Sequence, residues 1–196
     1  MTYADLKKEI QALGFSDEES MEEYKDVITT SVNRAMNLIN TTVRPIVATK
    51  EIVLTDNKYT TVDMNEADGF VDFYGKPKIS REDRILYLSD YFIEENKKIT
   101  LRGSEGDIVR IYYKKSPTQI TDETNDDFEI ELEEVVQPLI SLLAGYFIWL
   151  DDEPTKATMY QNLYDDSKTQ ILEACNSNKE VPVRFVGGIG WPNSVL

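Results

Sequence analysis

The residues best equipped for chemistry are carboxylates. Eight of them, Asp122, Glu123, Asp126, Asp127, Glu129, Glu131, Glu133 and Glu134, fall within thirteen positions. Paired carboxylates hydrolyse glycosidic bonds when burial turns one into an acid and a second lies about 5–10 Å away. Here the candidates are many and nothing in their spacing singles out a pair. The run also precedes an apolar helical stretch, where negative charge is favoured by the positive end of the helix. It reads as a solvated face. Asp122-Glu-Thr-Asn-Asp-Asp lacks the glycine and the terminal glutamate of a calcium loop. There is no histidine, hence no proton shuttle near neutral pH and no imidazole for zinc. The single cysteine, Cys175, supplies neither a disulfide nor a thiolate cluster and reads as a small buried hydrophobe. Gly187, Gly188 and Gly190 have neither the spacing nor the following Lys-Ser/Thr of a phosphate loop. No cofactor, metal or catalytic residue is called for.

Composition narrows the class further. The 196 residues carry a formal charge of −15, which argues against wrapping DNA or lying on an anionic membrane. Charge is uneven: residues 76–115 hold ten Lys/Arg against seven Asp/Glu, which leaves −18 on the rest. A dipolar chain of this kind suits head-to-tail contact between copies. The apolar stretch 135–150 is sixteen residues long and contains Gln137, Pro138 and Ser141. A membrane span needs about 20 apolar residues, so this is a core helix. The start, Met-Thr-Tyr-Ala-Asp-Leu-Lys-Lys, lacks the basic and apolar regions of a secretory signal. Synthesis in a cytoplasm is expected.

The elements that would position these groups follow from periodicity. A first helix is expected over 2–13, with Thr2 and Asp5 as a capping box and Gly14 as its stop. A second capping box over Ser16-Asp17-Glu18-Glu19 should open one long helix over 20–43, closed by Pro45. Asn33, Asn37 and Asn40 lie off its apolar stripe and are expected to be exposed. From residue 49 the period becomes 2, giving six strands: 51–54, 59–64, 69–74, 84–88, 98–102 and 108–113. Residues 97–115 read as one hairpin around Gly103-Ser104-Glu105-Gly106. A buried helix over 135–150 must start near Val135 or kink at Pro138. A final helix begins at Pro154, with Ala157, Tyr160, Leu163, Tyr164, Ile171, Leu172 and Cys175 on one stripe. The fold class is thus α+β. Two N-terminal and two C-terminal helices form a bundle (1–47 and 122–177), a small antiparallel sandwich or barrel is inserted (48–121), and a C-terminal tail is extended (178–196).

That tail is different in kind. Val181-Pro-Val-Arg-Phe-Val-Gly-Gly-Ile-Gly-Trp-Pro is apolar and has no helical period. Tyr146, Trp149, Tyr160 and Tyr164 sit at core spacing. Trp191, by contrast, lies among glycines, where a large aromatic needs a partner to bury it. Val183, Arg184, Phe185, Gly187, Gly188, Gly190, Trp191 and Pro192 are therefore the candidate partner-binding residues. The alternative is a tail folded back on its own domain.

The order over 108–171 is Ile108-Val-Arg-Ile-Tyr-Tyr-Lys-Lys115, Ser116-Pro117, an acidic joint, an apolar helix ending in Trp149-Leu150 plus acids, and a Tyr-rich last helix. It resembles the head–tail connector (adaptor, head completion) proteins of tailed bacteriophages, and residues 2–45 resemble their helical start more loosely. The resemblance implies a virion structural protein, not an enzyme, placed in the neck. Its partners would be the portal protein and downstream tail or neck proteins, in a ring commonly of twelve copies through which DNA passes. An acidic lumen would give the duplex nothing to adhere to. The inserted strands depart from the smallest, nearly all-helical connectors. Two other readings stand beside it: a phage-carried, carboxylate-based cell-wall hydrolase, and a tail or baseplate accessory protein.

Overall fold

The computed structural model describes residues 1–55, 59–81 and 84–177. The fold is mixed α+β with antiparallel sheets. Helix α1 spans Tyr3–Gln11, with Thr2 and Asp5 closing the capping box read from the sequence. Gly14 follows with φ +120°, a conformation that favours glycine, and its open face is filled by Lys156.

The long helix expected over 20–43 is two helices, α2 over Glu18–Glu23 and α3 over Lys25–Thr42. They part at Tyr24, which leaves helical geometry with φ −98° and ψ 9°. Its hydroxyl donates to Asp152 at 2.9 Å and its ring packs on Phe15 and Trp149. These contacts fix the side chain where a continuous helix would not place it. The box that starts α2 is Asp17 with Ser20, one residue later than Ser16 with Glu19.

Residues 134–137 form turns, and α4 runs Pro138–Trp149 with its proline in the first turn, where no N–H is missed. Helix α5 begins at Pro154 and spans Pro154–Ser177. Helices α1, α3 and α5 all contact α4, and their buried faces make one apolar cluster with Ile120, Ile130 and Leu132. Within α5, Ala157, Tyr160 and Tyr164 are buried, but Leu163, expected on the same stripe, is 44 % exposed. With Met159 it forms an outward apolar pair one turn apart.

Among the described residues eight strands, not six, follow α3: β1 Ile46–Val53, β2 Tyr59–Asp63, β3 Phe70–Phe73, β4 Lys78–Arg81, β5 Arg84–Tyr87, β6 Tyr91–Glu94, β7 Lys98–Arg102 and β8 Ile108–Lys115. One sheet has the order β1-β8-β4-β5, with β3 also on β8; the other is β2-β7-β6. Side chains from both sheets, among them Val62, Ile79, Ile99, Leu101, Val109 and Ile111, share a second core.

The hairpin expected over 97–115 does not exist, because β7 and β8 lie in different sheets. Leu54 donates to the Asp107 carbonyl and accepts from Gly106, which continues the β1–β8 ladder into the turn and commits β8 to β1. At this crossing a Cβ on Gly103 would lie 2.4 Å from Leu54 Cδ1, so the buried Leu54 side chain would have to shift to admit one. The true hairpin is β6–β7, turned by Glu95 and Asn96 at φ 52° and 59°. Two successive left-handed residues are the signature of the tight turn whose twist matches the strands.

Candidate functional site

The carboxylate run that opened the functional question is distributed, not convergent. Asp126 pairs with Lys7 of α1, and Asp122 with Lys25 of α3 at 3.8 Å. Glu133 pairs with Arg44 at 2.6 Å and Glu131 with Lys115 of β8 at 2.9 Å. Each of these four acids thus has a different cation, so the joint clips α1, α3 and β8 together. Glu131 is the most enclosed of the four, and burial pushes its carboxyl up. The Thr118 N–H and the Lys115 ammonium outweigh that and hold it below the usual carboxylate range. Lys115 in turn is raised by its bonds to Asp68 and Glu131. Among the described residues no group of three or more His, Cys, Asp or Glu is placed to hold a metal ion. No helix among them is long and apolar enough to cross a membrane.

The joint between helices and strands is built by two asparagines that the periodicity assigns to solvent. Asn33 donates to the Ile120 carbonyl and accepts from its N–H, both at 2.8 Å, as a strand residue would. Asn40 is 5 % exposed; it accepts from the Ile46 N–H at 2.7 Å and donates to the Lys115 carbonyl at 2.9 Å. Only Asn37 is exposed as expected. An amide satisfies two buried backbone groups at once, which a helix-stripe reading does not anticipate.

Two grooves flank α3. One, about 740 Å³, lies between α3, α4 and α5, and the Arg34 guanidinium stands 4.1 Å from the Phe147 ring on its wall. The other, about 580 Å³, is lined by Lys7, Lys25, Asp122 and Asp126 and lies at the acidic joint. Exposed large apolar side chains cluster elsewhere, on β5 with Ile85 at 64 %, Leu86 at 53 % and Tyr87 at 70 %, and on β6 with Phe92 and Ile93; Val53 of β1 and Tyr59 of β2 are also exposed. Consecutive apolar residues in 84–88 carry the pattern of a strand buried on both faces. The feature pointing the other way is the charged sequence Arg81-Glu-Asp-Arg84 that introduces them. The candidate partner-binding residues Val183, Arg184, Phe185, Gly187, Gly188, Gly190, Trp191 and Pro192 lie outside the described residues.

The arrangement offers surfaces for assembly, and the family comparison agrees. The model of the SU10 adaptor protein family matches residues 1–184. The chain belongs to this family of phage structural proteins. The match takes in both cores. It ends at Arg184, beyond the described residues. No curated protein matches the chain.

Proposed function

We propose that this adaptor is a head–tail connector subunit that joins a ring beneath the portal and lines the channel through which DNA leaves the head. The observation that carries the reading is the family match over residues 1–184. Charge supports it: at −15 the chain gives a passing duplex no adhesive surface. In this reading residues 1–47 and 122–177 are the ring-forming helical bundle, 48–121 is an inserted β domain, and 178–196 is a docking tail. Val183, Arg184, Phe185, Gly187, Gly188, Gly190, Trp191 and Pro192 make the contact with the portal or with a neighbouring subunit seated on it, Phe185 and Trp191 being its anchors.

The test is removal of 178–196. Both apolar clusters are complete as cores among the described residues, which end at 177, so the shortened chain should keep its circular dichroism and its melting temperature. It should no longer co-purify with the portal protein of the same phage. Portal binding at the level of the full chain would overturn the tail's assignment.

A further inference from the structure

The five-stranded sheet has two unusual edges. No residue of β5 is buried on either face, and none of the eight residues of β1 is buried, although β8 between them holds Val109, Ile111 and Tyr113 in the core. Among the described residues no strand pairs with the outer side of β1 or of β5. Each edge therefore presents a row of free backbone donors and acceptors, the template on which another strand adds.

The two edges also match in direction. β1 is antiparallel to β8, β8 to β4 and β4 to β5, so β5 runs opposite to β1. A rotation that preserves strand direction would lay β1 of a second copy antiparallel beside β5 of the first and continue the alternation. Such a contact is heterologous, joins different surfaces, and gives a ring when the rotation between copies closes.

Charge favours the β5 side of this contact. Two copies at −15 repel through most of their area, yet residues 76–88 carry Lys76, Lys78, Arg81 and Arg84 against Glu82 and Asp83. Approach is favoured where this positive hairpin meets the negative remainder of a neighbour. β1 itself is neutral, its Lys50 offset by Glu51, which pairs with Arg110 of β8, so it adds no repulsion of its own to the approach.

We propose that β5 of one copy adds to the free edge of β1 of the next, so that the five-stranded sheets form one continuous antiparallel belt. Ile85, Leu86 and Tyr87 are covered in that contact, with Phe92 and Ile93 of β6 at its rim. Four residues of strand pairing bury far less than the roughly 1,200 Å² of a stable pairwise interface. The contact is thus weak between two isolated copies and accumulates in a closed assembly. The inference rests on the ring reading above, for which it supplies the contact between neighbours.

Hydrogen exchange of the full chain tests it, free and in the assembly isolated after co-expression with the portal protein of the same phage. Amides of residues 46–53 and of 84–87 should both exchange about tenfold or more slowly in the assembly. An assembly that forms while both segments exchange as in the free chain overturns the edge contact and leaves the ring reading standing. If no multimeric assembly forms, both fall. The doubly substituted chain Ile85→Asp, Tyr87→Asp alters only exposed positions and should remain folded by circular dichroism. It should assemble at least about tenfold less; assembly equal to the unsubstituted chain overturns the proposal.

Discussion

Asn40 bonds to Ile46 and Lys115, the residue pair that ends the β1–β8 ladder, and so closes a sheet from inside a helix. Removing a buried group that satisfies two backbone partners leaves both unmet, at about 1–3 kcal/mol. Asn40→Ala should therefore lower stability by about 2 kcal/mol in urea unfolding, and Asn37→Ala, an exposed neighbour, by less than about 0.5 kcal/mol. Gln137 is a second buried amide of this kind, donating to the Ile130 and Leu132 carbonyls and accepting from the Met1 amino group. The carboxylates set an acid limit. Asp5 and Asp17 are held below their ordinary value by backbone and hydroxyl donors of Thr2 and Ser20, and Glu131 by Thr118 and Lys115 against the effect of burial. Each binds a proton less readily folded than unfolded. Its contribution is complete above the ordinary carboxylate pKa, about 4, and is lost as pH falls through the lower folded value. Melting temperature measured from pH 6 downward should stay level and then drop below about pH 4. A drop already complete at pH 5 would contradict these assignments.

At the scale of elements, the helices were legible where capping and periodicity agree. Thr2 with Asp5 starts α1 and Pro154 starts α5, both as the residues demand. The break at Tyr24 was not legible, because a hydroxyl and a ring bound to residues more than a hundred positions away decide it. The strands show the same division. Period 2 located most of them, but pairing depends on which edges are already taken, and that is not local. The β6–β7 turn escaped notice because Glu95-Asn96 lacks the glycine that usually marks it. That cost is measurable. Glu95→Asn together with Asn96→Gly supplies the residues the left-handed pair prefers and should raise stability by about 1 kcal/mol. No change in urea midpoint would mean that the turn is not formed as described. The candidate interface was the least legible feature. Ile85, Leu86 and Tyr87 satisfy every local sign of a core strand, and only the place of β5 at the sheet edge exposes them.

At the scale of the molecule, a helical core and a β core are joined through Asn33, Asn40 and the ion pairs of the acidic joint. Such a joint couples the placement of the β sheet to that of the helices. If adjacent sheets form a belt, the helices of neighbouring copies are spaced by the same contact. The −18 outside residues 76–115 then surrounds a narrow positive hairpin, an arrangement that favours ordered approach of copies over indiscriminate association. Assembly should consequently weaken as salt rises, since screening removes the attraction between unlike surfaces. The central claim is that the chain is a ring subunit of the virion neck. Its most direct test is the number of copies per particle, measured by quantitative mass spectrometry of gradient-purified virions against the portal protein. A neck ring gives about twelve copies, one cyclic ring, in each particle; absence from mature particles, or a number far from that of the portal, would rule it out.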